Sequence, residues 1–219
     1  MTTENKDGYI PALGNDALTP FYDGFISRFT REAALKRDLI QQAGIIPGQR
    51  VLDLGCGTAT LLIMVKQVVP GAILTGLDGD EKVLEIARRK VEQAHLDIQL
   101  EQGLAYALPY PDASFDRVLS SLVIHHLSEE NKMRAFQEVF RILRPGGQFH
   151  IADFGQPRHL WARIIAPLMK SFEQAKDNLL GRILPLLAET GFTEVAETSH
   201  YGTIFGTFTL YKARKAENA

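Results

Sequence analysis

The sequence predicts a doubly wound α/β fold with seven strands, mostly parallel, ending in an antiparallel C-terminal hairpin. Three observations predict it. From about residue 50 onward, short apolar runs alternate with segments whose apolar residues recur at helical spacing. A glycine turn, Gly55-Cys56-Gly57, joins the first strand-like run to the first of these helical segments. The last two strand-like runs, Thr193–His200 and Thr203–Lys212, leave no room between them for a crossover helix.

The elements follow in order. Arg50–Leu54 is a short run entered through Pro47-Gly48, and Thr58–Val69 is a helix stopped by Pro70-Gly71. Ile73–Asp78 is the second strand, and Asp80 caps a helix with Val83, Leu84, Ala87 and Val91 on one side. Ile98–Gln102 and Asp116–Val123 are the third and fourth strands. Ser128 then caps a helix that buries Met133, Phe136, Val139, Phe140 and Leu143 and ends at Pro145-Gly146-Gly147. Gln148–Asp153 is the fifth strand. Asn178–Thr190 reads as one regular helix, with Gly191 in the position of a left-handed C-terminal cap.

This pattern divides the chain into an N-terminal helical cap, residues 1–46, and a sheet domain, residues 47–215. An insertion at about 156–176 reads as a lid. The cap is expected to be helical from roughly Thr19. In the insertion, Leu160, Trp161, Ile164, Ile165, Leu168 and Phe172 mark an amphipathic helix.

Composition narrows the function classes. The 219 residues carry 24 Lys+Arg against 26 Asp+Glu, a net charge of −2, which disfavours a phosphate-tracking nucleic-acid binder. The single cysteine, Cys56, excludes an intrachain disulfide framework and a cysteine-rich zinc site, so no metal is expected. Met1–Gly8 is polar and lacks the apolar core of a secretory signal. No apolar run approaches the ~18 residues that span a bilayer. The expected location is the cytoplasm.

Two carboxylates give the glycine turn its chemistry. Gly55 and Gly57 let the backbone approach a ligand, and the helix that follows offers unpaired N–H groups. A dinucleotide turn of the G-x-G-x-x-G type has glycine where this chain has Thr60. Here Asp53 stands two residues before Gly55, which suits a positively charged ligand such as a sulfonium bearing an α-ammonium group. Asp78, followed by Gly79, closes the second strand about twenty residues past the glycines, where a carboxylate can accept from both ribose hydroxyls of an adenosine.

At this point the chain resembles a known family. Leu52-Asp53-Leu54-Gly55-Cys56-Gly57-Thr58, Gly76-Leu77-Asp78, Leu108–Asp116 and Leu143-Arg144-Pro145-Gly146-Gly147 look like the ordered motifs of class I S-adenosylmethionine-dependent methyltransferases, which share a Rossmann-like sheet. Within that superfamily the chain is most similar to small-molecule enzymes related to the quinone-ring C-methyltransferases. The resemblance implies S-adenosylmethionine as cofactor and S-adenosylhomocysteine as product. Asp53, Gly55, Cys56, Gly57 and Thr58 would line the methionine end, and Asp78 with Gly79 would hold the ribose. Gly103, Leu104 and Ala105 would meet adenine, with Ser120 close by on the fourth strand. Two positions depart from the pattern: Leu104 stands where relatives carry an acid that accepts from the adenine amine, and Ala59 stands where a third glycine is common. A carbonyl or Gln102 is the expected substitute for the acid.

The acceptor side is less defined. Ser120-Ser121-Leu122-Val123-Ile124-His125-His126 runs off the carboxyl end of the fourth strand, where ligands bind in open α/β sheets. His125 or His126 is a candidate general base, and a histidine that caps or packs under the next helix is the competing reading. Tyr9, Tyr22, His125, Phe154 and Trp161 are expected to enclose a small apolar or aromatic acceptor for C- or O-methylation. The alternatives are N-methylation of a lipid amine and a cofactor-binding module without catalysis. A nicotinamide oxidoreductase is disfavoured by the missing third glycine. Arg158, Arg163 and Lys170 around the Trp161 helix would suit a peripheral membrane contact.

Overall fold

In the computed structural model, the residues described are 32–158, 160, 162, 176–203 and 206–218. The expected helical cap before residue 32, most of the expected lid, and Tyr9, Tyr22 and Trp161 lie outside them.

The strands are β1 (Arg50–Leu54), β2 (Ile73–Asp78), β3 (Gln99–Gln102), β4 (Phe115–Ser121), β5 (Leu143–Phe154), β6 (Thr193–Thr203) and β7 (Gly206–Arg214). They form one seven-stranded sheet in the order β3-β2-β1-β4-β5-β7-β6. The pairs among β1 to β5 are parallel, whereas β7 runs antiparallel to both β5 and β6. This is the doubly wound arrangement with its terminal hairpin. After β1 the chain winds outward through β2 and β3, then returns to place β4 on the other side of β1. The switch point therefore lies between the carboxyl ends of β1 and β4, where open sheets bind ligands. Register places Asp53 opposite Gly76 on one side and Leu119 on the other.

Helices cover both faces. On one, α1 (Glu32–Ala43), α2 (Thr60–Val68) and α3 (Glu81–Gln93) pack Leu35, Leu39, Leu62, Val65, Leu84 and Ala87 against alternate strand residues such as Val51 and Leu74. On the other, α4 (Glu129–Ile142) and α6 (Ile183–Glu189) pack Phe136, Val139, Ile183 and Leu187 against Leu52, Val118, Phe149 and Ile151. Strand periodicity of two sends neighbouring residues to opposite cores. The caps are those expected: Asp80 accepts from the N–H of Lys82 at 2.9 Å and Ser128 from that of Asn131 at 3.3 Å.

Two boundaries differ most from expectation. Pro145-Gly146-Gly147 belongs to β5, not to the end of α4, because Leu143 already pairs with Phe115 and a register shift absorbs the left-handed Gly146. The single helix expected over Asn178–Thr190 is two pieces, α5 (Lys176–Leu179) and α6, broken at Gly181 with φ +75°. Pro185 explains the break. Inside a continuous helix its ring would strike the carbonyl of residue 181, whereas the break leaves it in the first turn of α6.

Candidate active site

β1 enters the site through a left-handed turn. The N–H groups of Gly55 and Cys56 both donate to the Leu77 carbonyl, at 2.8 and 3.0 Å, tying the turn to the end of β2. Gly55 has φ +74°, and a β-carbon there would fall 2.3 Å from Val123 Cγ2. Gly57, at φ +53°, faces open space, with no atom within 4 Å of where its β-carbon would be. Ala59 is also left-handed, at φ +60°, and fully buried, so the position where a third glycine is common keeps a glycine-like backbone. Lys90 on α3 donates to the hydroxyls of Thr58 and Thr60, each at 2.9 Å, and secures the start of α2.

The two carboxylates stand on either side of this turn. Asp53 is only 1% exposed, and its Oδ1 has no hydrogen-bond partner. Burial pushes it up to about 7, with Lys36 opposing and Asp78 reinforcing the rise. A buried acceptor without a donor costs about 1–3 kcal/mol. An ammonium group is the ligand chemistry that fits it, supplying donor and charge together. Asp78 accepts from Gly57 N–H on Oδ2 at 2.8 Å and from Asp80 N–H on Oδ1 at 3.0 Å. Burial raises it above its ordinary value, and these N–H groups pull the other way. It remains partly open at the end of β2, with lone pairs beyond those bonds.

The segment expected to meet adenine lies beside Asp78. Gly103 N–H donates to the Asp78 carbonyl at 3.0 Å, and Leu104 forms a small bridge with Ala107. Gln102 is exposed and donates from Nε2 to the Gly79 carbonyl at 3.3 Å. Ala105 packs against the second core beside Leu108 and Tyr110.

At β4 and β5 the geometry is of another kind. His125 lies in a 3-10 turn, Ile124–His126, and its Nδ1 is 2.8 Å from Asp153 Oδ1. The His125 N–H donates to Asp153 Oδ2 at 3.2 Å, and the Phe154 N–H donates to Oδ1 at 2.7 Å. Asp153 is fully buried. Burial alone would raise it, but the His125 ring and these N–H donors hold it below the ordinary carboxylate range. Phe154 packs its ring edge-on to His125, with centroids 4.9 Å apart. His126 is exposed, with its ring tilted against His125.

Sequence reasoning missed Asp153. The signal was a carboxylate ending the apolar run Ile151-Ala152 at the carboxyl end of a strand, on the same edge as Asp53 and Asp78. Ser120, expected near the cofactor, is fully buried and donates to the Leu54 carbonyl at 3.1 Å, stitching β4 to β1. Its neighbour Ser121 has the unpartnered hydroxyl. Asn178, also missed, is fully buried with neither amide atom bonded, on α5 where that turn packs against β5 and the His125 turn.

Comparison with known proteins agrees with this geometry. A family model described as a methyltransferase domain matches residues 51–147, from the residue before the glycine motif to the last of Pro145-Gly146-Gly147. Demethylmenaquinone methyltransferase of Listeria monocytogenes is 28% identical over 97% of this chain and 99% of its own length. These matches make the chain an S-adenosylmethionine-dependent methyltransferase. Two solved structures share the fold of this methyltransferase. One is the YcgJ protein of Bacillus subtilis, with TM-score 0.70 and 17% identity over 84% of this chain and 99% of that one. The other is phosphoethanolamine N-methyltransferase 2 of Haemonchus contortus with S-adenosyl-L-methionine, with TM-score 0.70 and 16% identity over 93% and 61%. The cofactor of this methyltransferase is S-adenosylmethionine, which supplies an electrophilic methyl group on its sulfonium when bound. Among the described residues no helix is long and apolar enough to cross a membrane.

Proposed function

We propose that this methyltransferase methylates a ring carbon of a quinol-type aromatic acceptor, with the cofactor held by Asp53, Gly55, Cys56, Gly57, Thr58, Asp78, Gly79 and the Gly103–Ala105 turn. The observation that carries the acceptor class is end-to-end similarity to a demethylmenaquinone methyltransferase, covering 97% of one chain and 99% of the other. The chemistry beside His125 supports it. A hydroquinone ring becomes a strong carbon nucleophile once one hydroxyl gives up its proton, and a histidine at the strand ends is suited to take it. Phe154 offers an aromatic wall at that point. The remainder of the rate comes from alignment and exclusion of water, of which proximity alone supplies ~7–11 kcal/mol. The membrane contact belongs to it as well, since Leu160, 77% exposed, and Arg158 flank the exit of β5.

The test is transfer of a labelled methyl group to demethylmenaquinol, its oxidised quinone, a simple phenol and phosphoethanolamine. Carbon methylation of the reduced quinol, with little on the quinone, is expected. Methylation of the amine, or of none of them, overturns the acceptor. Calorimetric titration with S-adenosylhomocysteine checks the cofactor half separately: Asp78→Ala is expected to weaken binding at least ~10-fold, about 1.4 kcal/mol, with an unchanged circular dichroism spectrum.

A further inference from the structure

We propose that Asp153 fixes His125 as the Nδ1–H tautomer, so that Nε2 is the base that takes the proton of the acceptor's hydroxyl. The hydroxyl acceptor rests on the quinol reading above; the tautomer does not. Asp153 is fully buried at the end of β5 and receives three donors: the ring and main chain of His125 and the main chain of Phe154. An ionised carboxylate only accepts, so the atom of His125 that faces it at 2.8 Å must carry the hydrogen. In a neutral imidazole the other nitrogen is then the unprotonated one. The two-point grip on ring and backbone, with the Phe154 ring edge against the imidazole, leaves the ring one orientation. The left-handed Leu122, at φ +61°, with its N–H on the Ala152 carbonyl at 2.8 Å, folds the chain back from β4 so that His125 meets β5.

The step balances as follows. The hydroxyl proton passes to Nε2, and the electron pair it leaves makes the ring carbon nucleophilic. That carbon forms its bond to the methyl group as the carbon–sulfur bond breaks, with the pair going to sulfur. The ring carbon then loses its own hydrogen as a proton and the oxygen is reprotonated, so one proton is released overall. The imidazolium formed in the first stage lies against the buried Asp153 anion, which stabilises it where it forms. Asp153 is a positioning residue here, and His125 is the catalytic one.

Nitrogen-15 NMR of the cofactor-free protein reads the tautomer directly. His125 is expected to show a protonated Nδ1 and an unprotonated Nε2 when neutral. Asp153→Asn preserves shape but can turn an N–H₂ donor toward Nδ1, so the tautomer is expected to switch. In that variant kcat for demethylmenaquinol is expected to fall ~10²–10⁴-fold, while the Kd for S-adenosylhomocysteine stays within about twofold. His125→Asn keeps a donor for Asp153 but lacks the base, and is expected to fold normally with the same loss. A wild-type spectrum with hydrogen on Nε2, or near-normal kcat in either folded variant, overturns the proposal. If demethylmenaquinol is not methylated at all, the acceptor reading fails, and the spectra of the wild type and Asp153→Asn still decide the tautomer.

Discussion

The two halves of the site are built on opposite plans. At the ends of β1 and β2 the backbone turns left-handed at Gly55, Gly57 and Ala59 within five residues, and Asp53 Oδ1 is buried without a donor. At the ends of β4 and β5 the buried carboxylate is satisfied by the protein itself, with Asp153 accepting three bonds, although the Ser121 hydroxyl and the Asn178 amide nearby are not. In the proposed reading the first half would be completed by the cofactor. The second is preorganised by the protein, which a base that must work during a brief encounter requires. On the proposed reading the chain would give up stability where it is to grip a charged ligand, and not where it orients its histidine.

Gly55 joins the halves, so its substitution is the hardest test of their separation. Gly55→Ala would force an L-residue into φ +74° and drive its methyl into Val123, which leads directly into the His125 turn. Left-handed backbone costs roughly 1–2 kcal/mol and overpacking about 1–3, so a loss of about 3 kcal/mol in urea denaturation is expected. The NMR signals of His125 should shift in the same variant. Gly57→Ala is the control, because its methyl would meet nothing. It should lose only the backbone contribution, roughly 1–2 kcal/mol, and leave His125 unmoved.

Asp53 offers a smaller and more specific effect. Its ordinary value is 3.8 and its folded value about 7, so between these pH values the folded state binds the extra proton. Unfolding free energy therefore falls as pH rises through that window, and above it the folded protein carries the full cost of a buried anion. The cofactor's ammonium reverses that cost only when Asp53 is ionised. Affinity for S-adenosylhomocysteine is thus expected to strengthen as pH climbs through about 7 and then level off. Burial sets most of the rise, and the charged neighbours Lys36 and Asp78 adjust it, the first pulling it down and the second up. Asp53→Asn should bind about 10-fold more weakly at pH 8 and lose this contribution to the pH dependence. A variant as pH-sensitive as the wild type would move the ammonium away from Asp53.

This contrast also explains what was legible in the sequence. The cofactor half depends on short-range chemistry: a strand, a glycine turn, and a carboxylate at each of two neighbouring strand ends. Spacing alone carries that information, and the turn at Gly55 and Gly57 and the strand-end places of Asp53 and Asp78 could be read from it. The acceptor half depends on a contact between residues 125 and 153, set by how β4 pairs with β5, and no local pattern encodes that register. His125 was visible only as one of two histidines, and Asp153 only as the end of a strand. The broken helix at Gly181 was missed for a related reason, since apolar periodicity through Asn178–Thr190 outweighed Pro185, whose ring decides the matter.

The smallest expected effect tests whether Ala59 is strained at all in the energetic sense. Ala59→Gly would relieve a left-handed alanine, worth roughly 1–2 kcal/mol. It would also restore the greater unfolded-state freedom of glycine, at about 0.5–1 kcal/mol, and remove a fully buried methyl, at about 0.8 kcal/mol. Those contributions nearly cancel, so urea denaturation should place the variant within about 0.5 kcal/mol of wild type. Near-neutrality would explain how this chain dispenses with a third glycine while keeping the backbone that glycine would adopt. A gain well above 1 kcal/mol would mean that the methyl packs poorly, and that the turn retains Ala59 at a net cost in stability.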